Sequence, residues 1–125
     1  MKKLIIFLIV VNASSLIFKP PDNSNPQLDS LKNAFNNAKH DTTKARLLVE
    51  LSEVLAAANP DTVIPLCEQA LEVIDKNLAA SNKEERASFL KIKADALNNI
   101  GYIHNLQGNP DKALEYFLQS LEILK

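Results

Sequence analysis

The chain has 125 residues, of which 46% are hydrophobic and 23% charged, and its formal net charge is −1. This balance is typical of one globular domain and offers no basic field for nucleic acid. Two glycines and no tryptophan disfavour an all-β fold, whose tight turns usually require more glycine. The single cysteine cannot form a disulfide within the chain.

The N-terminal segment 1–15 has the pattern of a cleaved signal peptide. Lys2 and Lys3 precede the apolar run 4–11, and small residues that suit a signal peptidase follow it. The alternative is an uncleaved membrane anchor, because apolar residues resume afterwards. A helix of about 15 residues spans roughly 22 Å, which is shorter than the ~30 Å hydrocarbon core. We therefore predict export to the periplasm or cell envelope and no stable membrane span.

A linker over 16–25, which is polar from Lys19 onward and contains two consecutive prolines, separates this leader from the first helix. Asn25 is predicted to cap that helix, with Pro26 at its first position, where a missing N–H costs nothing. This lead helix is assigned to 26–40. Asp41 is the expected cap of the helix that follows.

The apolar spacing predicts four further helices. The second ends before Pro60, and the third covers about 62–79. Pro65 would cost ~3 kcal/mol in a helix interior, so we expect a late start or a kink there. A capping box at 81–84 opens the fourth helix, and the turn at 108–110 leads into the fifth.

The stretch 59–125 contains an internal repeat. Asn59-Pro60-Asp61 recurs as Asn109-Pro110-Asp111, and the amphipathic runs that follow align without a gap. A repeated helical unit indicates a solenoid, in which neighbouring units bury each other's apolar faces. We therefore predict an all-α array of antiparallel helix pairs, with about five helices after the leader.

Residues 94–125 resemble the tetratricopeptide repeat, a helix pair whose motif mixes small and large apolar residues. The matching residues are Leu97, Ile100, Gly101, His104, Gly108, Ala113, Phe117 and Ser120. Gly101 and Ala113 are small where the helices should cross closely, and Phe117 should fill the space beside them. His104 replaces the family's usual tyrosine, and we expect it to pack in the repeat core with a hydrogen-bonded nitrogen.

Residues 45–74 show the same pattern in degenerate form. The chain is therefore assigned a degenerate repeat at 41–79 and a repeat with an extended first helix at 80–125. With its leader, it looks like the exported N-terminal region of bacterial membrane signalling proteins. The resemblance implies that the array of helix pairs is a right-handed superhelix. It also implies a protein-interaction scaffold at the extracytoplasmic sensor or adaptor end of such a protein. The alternative is a freestanding periplasmic assembly or adaptor protein.

No catalytic, metal-binding or cofactor-binding constellation is evident. His40 and His104 are far apart and lack a paired-ligand spacing. Cys67 lies on an apolar helical stripe, where a small core residue is the expected role. Three aspartates are better explained as caps and turn residues: Asp41, Asp61 and Asp111. We therefore expect no cofactor and no metal, and an enzyme is the least favoured function.

In tetratricopeptide arrays, the first helix of each pair lines a groove that binds a protein or peptide. The matching positions here are Arg46, Val49, Glu53, Asp95, Asn98, Tyr102 and Asn105. Tyr102 is the most suggestive, because an aromatic ring with a polar tip is favoured at interaction sites. The lysine–asparagine clamp that some members use for a terminal carboxylate is absent. The alternative is that these residues are ordinary solvated surface.

The fifth helix carries more apolar surface than one neighbouring helix can cover. The residues concerned are Leu114, Leu118, Leu121 and Leu124. We expect self-association through this face, because exposed apolar patches mark interfaces. The pattern also reaches Lys125 without a polar capping helix, which favours the front end of a longer array. Reading the gene past Lys125 would separate a sensor with an output domain from a small adaptor.

Overall fold

The computed structural model describes residues 25–125. The predicted signal peptide at 1–15 and nearly all of the linker at 16–25 lie outside the described residues, so both stay predictions. The described part of the chain contains five α-helices and two short 3₁₀ turns, and no strand. The predicted all-α, helical-repeat fold class is confirmed.

The five helices are α1 (Pro26–Asn37), α2 (Asp41–Leu55), α3 (Val63–Asn77), α4 (Lys83–Leu106) and α5 (Pro110–Leu124). The 3₁₀ turns are Pro60–Thr62 and Leu78–Ala80. Short connections make neighbouring helices antiparallel, so α2 packs with α3 and α4 with α5, while α1 packs on α2. Because α4 also contacts α2 and α3, the second helix pair stacks on the first, as in a solenoid.

The start of α1 follows the predicted capping chemistry, but the start of α2 does not. The Asn25 side-chain oxygen accepts hydrogen bonds from the backbone N–H groups of Gln27 (3.0 Å) and Leu28 (3.2 Å). Asp41 is the first residue of α2, and His40 occupies the cap position without a side-chain hydrogen bond. The predicted cap is therefore wrong by one residue. A carboxylate in the first turn still interacts favourably with the helix dipole.

The capping box of α4 also begins one residue later than predicted. Asn82 is the cap: its Oδ1 accepts a hydrogen bond from the Glu85 N–H at 2.9 Å. Its Nδ2 donates to Glu85 Oε2 at 3.2 Å. The Ser81 hydroxyl instead donates to the Leu78 carbonyl at 2.8 Å. Ser81 is unavailable as a cap because it closes the preceding 3₁₀ turn.

Pro65 is accommodated by a late helix start, one of the two predicted outcomes. The helix α3 begins at Val63, so Pro65 lies in its first turn. Backbone N–H groups in the first turn of a helix have no partner within the helix. The proline ring therefore removes no hydrogen bond of α3.

The hydrophobic core lies between the stacked helix pairs. The largest fully buried side chains are Leu48, Ile74, Ile100, Ile103, Val63, Cys67 and Ser52. From α1, Leu28, Leu31 and Phe35 pack against this core while staying half-buried. The lead helix thus covers one side of the first pair, although it ends before the predicted boundary at 40.

Gly101 allows α4 and α5 to approach more closely than any other residue would. A Cβ atom built at Gly101 would lie 2.7 Å from Phe117 Cε1 and 3.1 Å from the Ala113 carbonyl oxygen. Both distances are below normal van der Waals contact. The predicted crossing of Gly101 with Ala113 and Phe117 is confirmed. The Ser120 hydroxyl adds a hydrogen bond across the same crossing, to the Ala94 carbonyl at 2.8 Å.

The turn between α4 and α5 depends on the positive φ angle of Gly108, which is 81°. The Gly108 N–H donates to the Asn105 carbonyl at 3.1 Å, and the Asn109 N–H donates to the His104 carbonyl at 2.9 Å. These two bonds form a Schellman motif, which satisfies the last carbonyls of the helix. The turn predicted at 108–110 is therefore confirmed.

Candidate partner groove

The seven predicted groove residues lie on α2 and α4, two helices in direct contact. Six of them are exposed or half-buried: Arg46, Glu53, Asp95, Asn98, Tyr102 and Asn105. Val49 is only 4% exposed and belongs to the core. It therefore offers a partner almost no surface, because its side chain is turned toward the packing between the helix pairs.

A concavity of about 440 Å³ lies where α2 and α4 meet, and we call it the α2–α4 cavity. Three of the predicted residues, Glu53, Asn98 and Tyr102, line it together. The remaining lining residues are Ser52, Ala56, Val63, Asn99 and Phe117. The other predicted residues do not line this cavity. The fold thus gathers part of the predicted groove into one site.

A polar network behind the cavity connects α2, α3 and α4. The Asn99 amide donates to Glu53 Oε1 at 3.2 Å and to the Ser52 hydroxyl oxygen at 3.4 Å. The Ser52 hydroxyl donates to the Val49 carbonyl at 2.6 Å, and the Cys67 thiol donates to Ser52 at 3.4 Å. The network holds the Glu53 carboxylate in place at the cavity.

Ser52 and Asn99 were missed by the sequence reasoning. Ser52 occupies the repeat position that corresponds to Gly101, so the sequence signalled only a small residue at a helix crossing. Asn99 lies beside the predicted Asn98, and its partners are far away in the sequence. No local pattern of residues could have revealed hydrogen bonds of this kind.

Cys67 is fully buried, as its predicted place in the core requires. Burial is the largest of the effects that raise the pKa of its thiol from 9.0 to about 11; the side-chain hydrogen bond with Ser52 lowers the pKa, and the charges of Glu53 and Glu68 raise it. The thiol is therefore neutral near pH 7. A buried neutral thiol is a poor nucleophile.

Two of the three charged residues of the predicted groove form an ion pair on their own helix, and the third does not. Arg46 pairs with Glu50 at 3.7 Å, and Asp95 pairs with Lys91 at 3.5 Å, each one turn along the same helix. Exposed pairs of this kind contribute little to stability. Within residues 25–125, Glu53 has no ion-pair partner, and Asn99 is its hydrogen-bond donor. Its negative charge faces the cavity without a neighbouring cation to neutralise it.

His104 packs against α5, but its Nδ1 atom lacks the hydrogen bond that we expected for a ring nitrogen. The ring stacks on Tyr116 with a centroid separation of 5.4 Å and an interplanar angle of 15°. Nδ1 is buried and has no hydrogen-bond partner in the described region. Nearby backbone N–H groups of α4 are already used within the helix, so stacking rather than hydrogen bonding positions the ring.

The outer side of α5 carries a continuous apolar stripe, which we call the leucine face. Its members are Leu114, Leu118, Leu121 and Leu124. Each is more than half exposed, and no helix of the described region covers them. Leu106, at the end of α4, is also exposed.

A second concavity, of about 360 Å³, lies between α1, α2 and α3 and contains none of the predicted groove residues. Its lining includes Phe35 and Gln69, and the Gln69 Nε2 atom has no hydrogen-bond partner within residues 25–125.

Residues 25–125 contain no group of three or more His, Cys, Asp or Glu side chains arranged to hold a metal. None of the five helices is long and apolar enough to cross a membrane.

Residues 94–124 match the family model of the tetratricopeptide repeat. The matched segment comprises the C-terminal half of α4 and all of α5. The predicted repeat is thereby confirmed for this segment. Neither a curated protein nor a solved structure matched the chain. Tetratricopeptide repeats generally mediate protein–protein interactions.

Proposed function

We propose that the chain is a protein-interaction scaffold that binds a peptide or protein segment along α2 and α4. The carrying observation is that Glu53, Asn98 and Tyr102, which the repeat pattern predicted as groove residues, line one cavity. That cavity presents a carboxylate, amides and an aromatic ring, which together suit a peptide with polar backbone groups and a packed side chain.

The groups at the cavity favour binding over catalysis. Among the residues that line the cavity, Ser52 is the best candidate for a catalytic nucleophile. However, it is fully buried, and its hydroxyl donates a hydrogen bond to the Val49 carbonyl. No histidine lines the cavity to serve as its base. Activation of a serine requires such a base within hydrogen-bond reach.

Tyr102→Ala is expected to weaken the binding of a groove peptide about tenfold or more, because exposed aromatic residues often dominate interface energies. Tyr102 is 50% exposed, so the helical circular dichroism signal and the melting temperature should change little. Peptides that bind the full chain are first selected from a displayed random peptide library. The affinity of a selected peptide for the unmodified chain and for Tyr102→Ala is then measured by calorimetry. Leu118→Ala, on the leucine face, is the matched control and should leave the affinity unchanged.

A large drop in melting temperature for Tyr102→Ala would place the side chain within the packing and contradict the groove assignment. Unchanged affinity for every selected peptide would contradict the proposed binding site.

We further propose that the scaffold acts outside the cytoplasm, as the sensor or adaptor end of a bacterial signalling protein. Lys2 and Lys3 before the apolar run 4–11 support export. The protein purified from its natural source should then begin near Ser14 or Leu16, as measured by N-terminal sequencing or intact mass. An intact Met1 would contradict the cleaved leader.

The leucine face is proposed to bind a second copy of the chain. Three of its four counterparts in the earlier repeat, Ile64, Leu71 and Ile74, are half-buried or buried, whereas the counterpart of Leu118 is the exposed Glu68. The fold thus uses most of this side of the earlier repeat for packing. Sedimentation velocity should show concentration-dependent association, and Leu118→Glu with Leu121→Lys should give a monomer. The matched control, Ala87→Glu with Gln119→Lys, introduces the same charges at two exposed positions outside the leucine face and should leave the association unchanged. A monomer for the unmodified chain at high concentration would contradict this interface.

A further inference from the structure

We infer that the α2–α4 cavity is a pocket for a basic side chain, lysine or arginine, of the bound peptide. This inference rests on the proposed scaffold function and adds the kind of residue that the groove selects. It is carried by the position of Glu53, without an internal cation partner, beside the aromatic rings of Tyr102 and Phe117 in one cavity.

The Glu53 carboxylate is prepared for a ligand. Asn99 holds its Oε1 atom from the neighbouring helix at 3.2 Å, while Oε2 accepts no hydrogen bond within residues 25–125. An exposed glutamate normally samples several rotamers, and fixing it on binding opposes affinity. Here the Asn99 contact restricts the side chain beforehand, so a ligand cation meets an oriented acceptor.

The rest of the cavity suits the remainder of a lysine or arginine side chain. Ala56, which is half-buried, offers an apolar surface against which the methylene groups can pack. Val63 lies behind it in the core and contributes almost no surface, because it is only 2% exposed. Tyr102, which is half exposed, offers a ring face, and Phe117 lies on the α5 side of the cavity. A cation above such a ring gains an additional electrostatic attraction. The volume of about 440 Å³ lies toward the small end of ligand pockets, so it fits one long side chain.

The charges nearby favour a cation over other side chains. Arg46 is a positive group of the predicted groove on α2, and Lys91 is a positive group beside it on α4. Each already pairs with a carboxylate on its own helix. A peptide carboxylate would be repelled by Glu53. A neutral side chain would leave that charge without a partner. Selectivity therefore arises from both attraction and exclusion.

The test begins with a random peptide library displayed against the immobilised full chain. We expect the selected peptides to share a lysine or arginine. The affinity of one arginine peptide is then measured for the unmodified chain, Glu53→Gln and Glu68→Gln. Glu68 is an exposed α3 residue that does not line the cavity, and its variant removes the same charge.

Glu53→Gln should weaken binding about tenfold, equivalent to about 1.4 kcal/mol, whereas Glu68→Gln should change it less than about twofold. Replacing the peptide arginine by citrulline keeps the shape and removes the charge. The citrulline peptide should bind the unmodified chain and Glu53→Gln equally, which isolates the Glu53–arginine coupling in a double-mutant cycle.

The failure of this inference is distinguishable from that of the scaffold function. Selected peptides whose binding depends on Tyr102 but not on Glu53 would reject the basic-side-chain pocket and leave the groove in place. Equal weakening by Glu53→Gln and Glu68→Gln would indicate general charge attraction and reject the pocket as well. If no selected peptide depends on Tyr102, the scaffold function at this groove is rejected together with the inference.

Discussion

Gly101→Val is expected to lower the free energy of unfolding by about 3 kcal/mol, the upper end of the usual range for overpacking. A Cβ atom at this position would lie 2.7 Å from a ring carbon of Phe117 and 3.1 Å from a backbone oxygen of α5. The Phe117 ring is half-buried and lines the α2–α4 cavity, so turning it relieves only the first contact. The backbone oxygen can move only with α5. The steric effect should exceed the helix-propensity change, which is below about 1 kcal/mol.

Urea unfolding followed by circular dichroism measures this change. Ala87→Val provides the matched control, because Ala87 is an exposed residue of the same helix, and its effect should stay below about 1 kcal/mol. Phe117→Ala in the Gly101→Val background should cost less than Phe117→Ala alone, since the clash is relieved. Equal effects of Gly101→Val and Ala87→Val would contradict the close helix crossing.

Ile74→Ala is expected to lower the free energy of unfolding by about 3 kcal/mol, because it leaves a cavity in the core. Ile74 is fully buried between the two helix pairs. Its counterpart in the second repeat is Leu124, which is 60% exposed. Leu124→Ala should therefore cost less than about 1 kcal/mol. The two substitutions compare equivalent positions of one repeat pattern in different surroundings.

Both variants are measured by chemical unfolding at a concentration low enough to suppress association. If Leu124→Ala proved as destabilising as Ile74→Ala under these conditions, the leucine face would be covered within the single chain. The proposed interface with a second copy would then lose its basis.

Local chemistry explains which features of the fold were predictable. The role of Gly101, the turn at Gly108 and the Asn25 cap each depend on neighbouring residues or on a strict repeat spacing. The caps at Asp41 and Ser81 were misplaced by one residue because several adjacent side chains are capable of capping. Tertiary contacts and neighbouring turns decide between such candidates, and they are not visible in a short sequence window.

The candidate site was predictable only in part. The repeat pattern identified Glu53, Asn98 and Tyr102, but it also included Val49, which is buried. A repeat position defines a side of a helix, whereas the rotation of that helix against its neighbours decides what reaches the surface. The links from Asn99 to Ser52 and Glu53 join residues from different repeats, so they required the three-dimensional arrangement.

The most direct test of the scaffold function is a titration of the ¹⁵N-labelled chain with a library-selected peptide, followed by backbone amide NMR. The proposed groove predicts that the largest shift changes cluster around Glu53, Asn98 and Tyr102, and that Tyr102→Ala needs about tenfold more peptide to reach the same changes. Changes centred on the leucine face of α5, or on the concavity around Gln69, would contradict it.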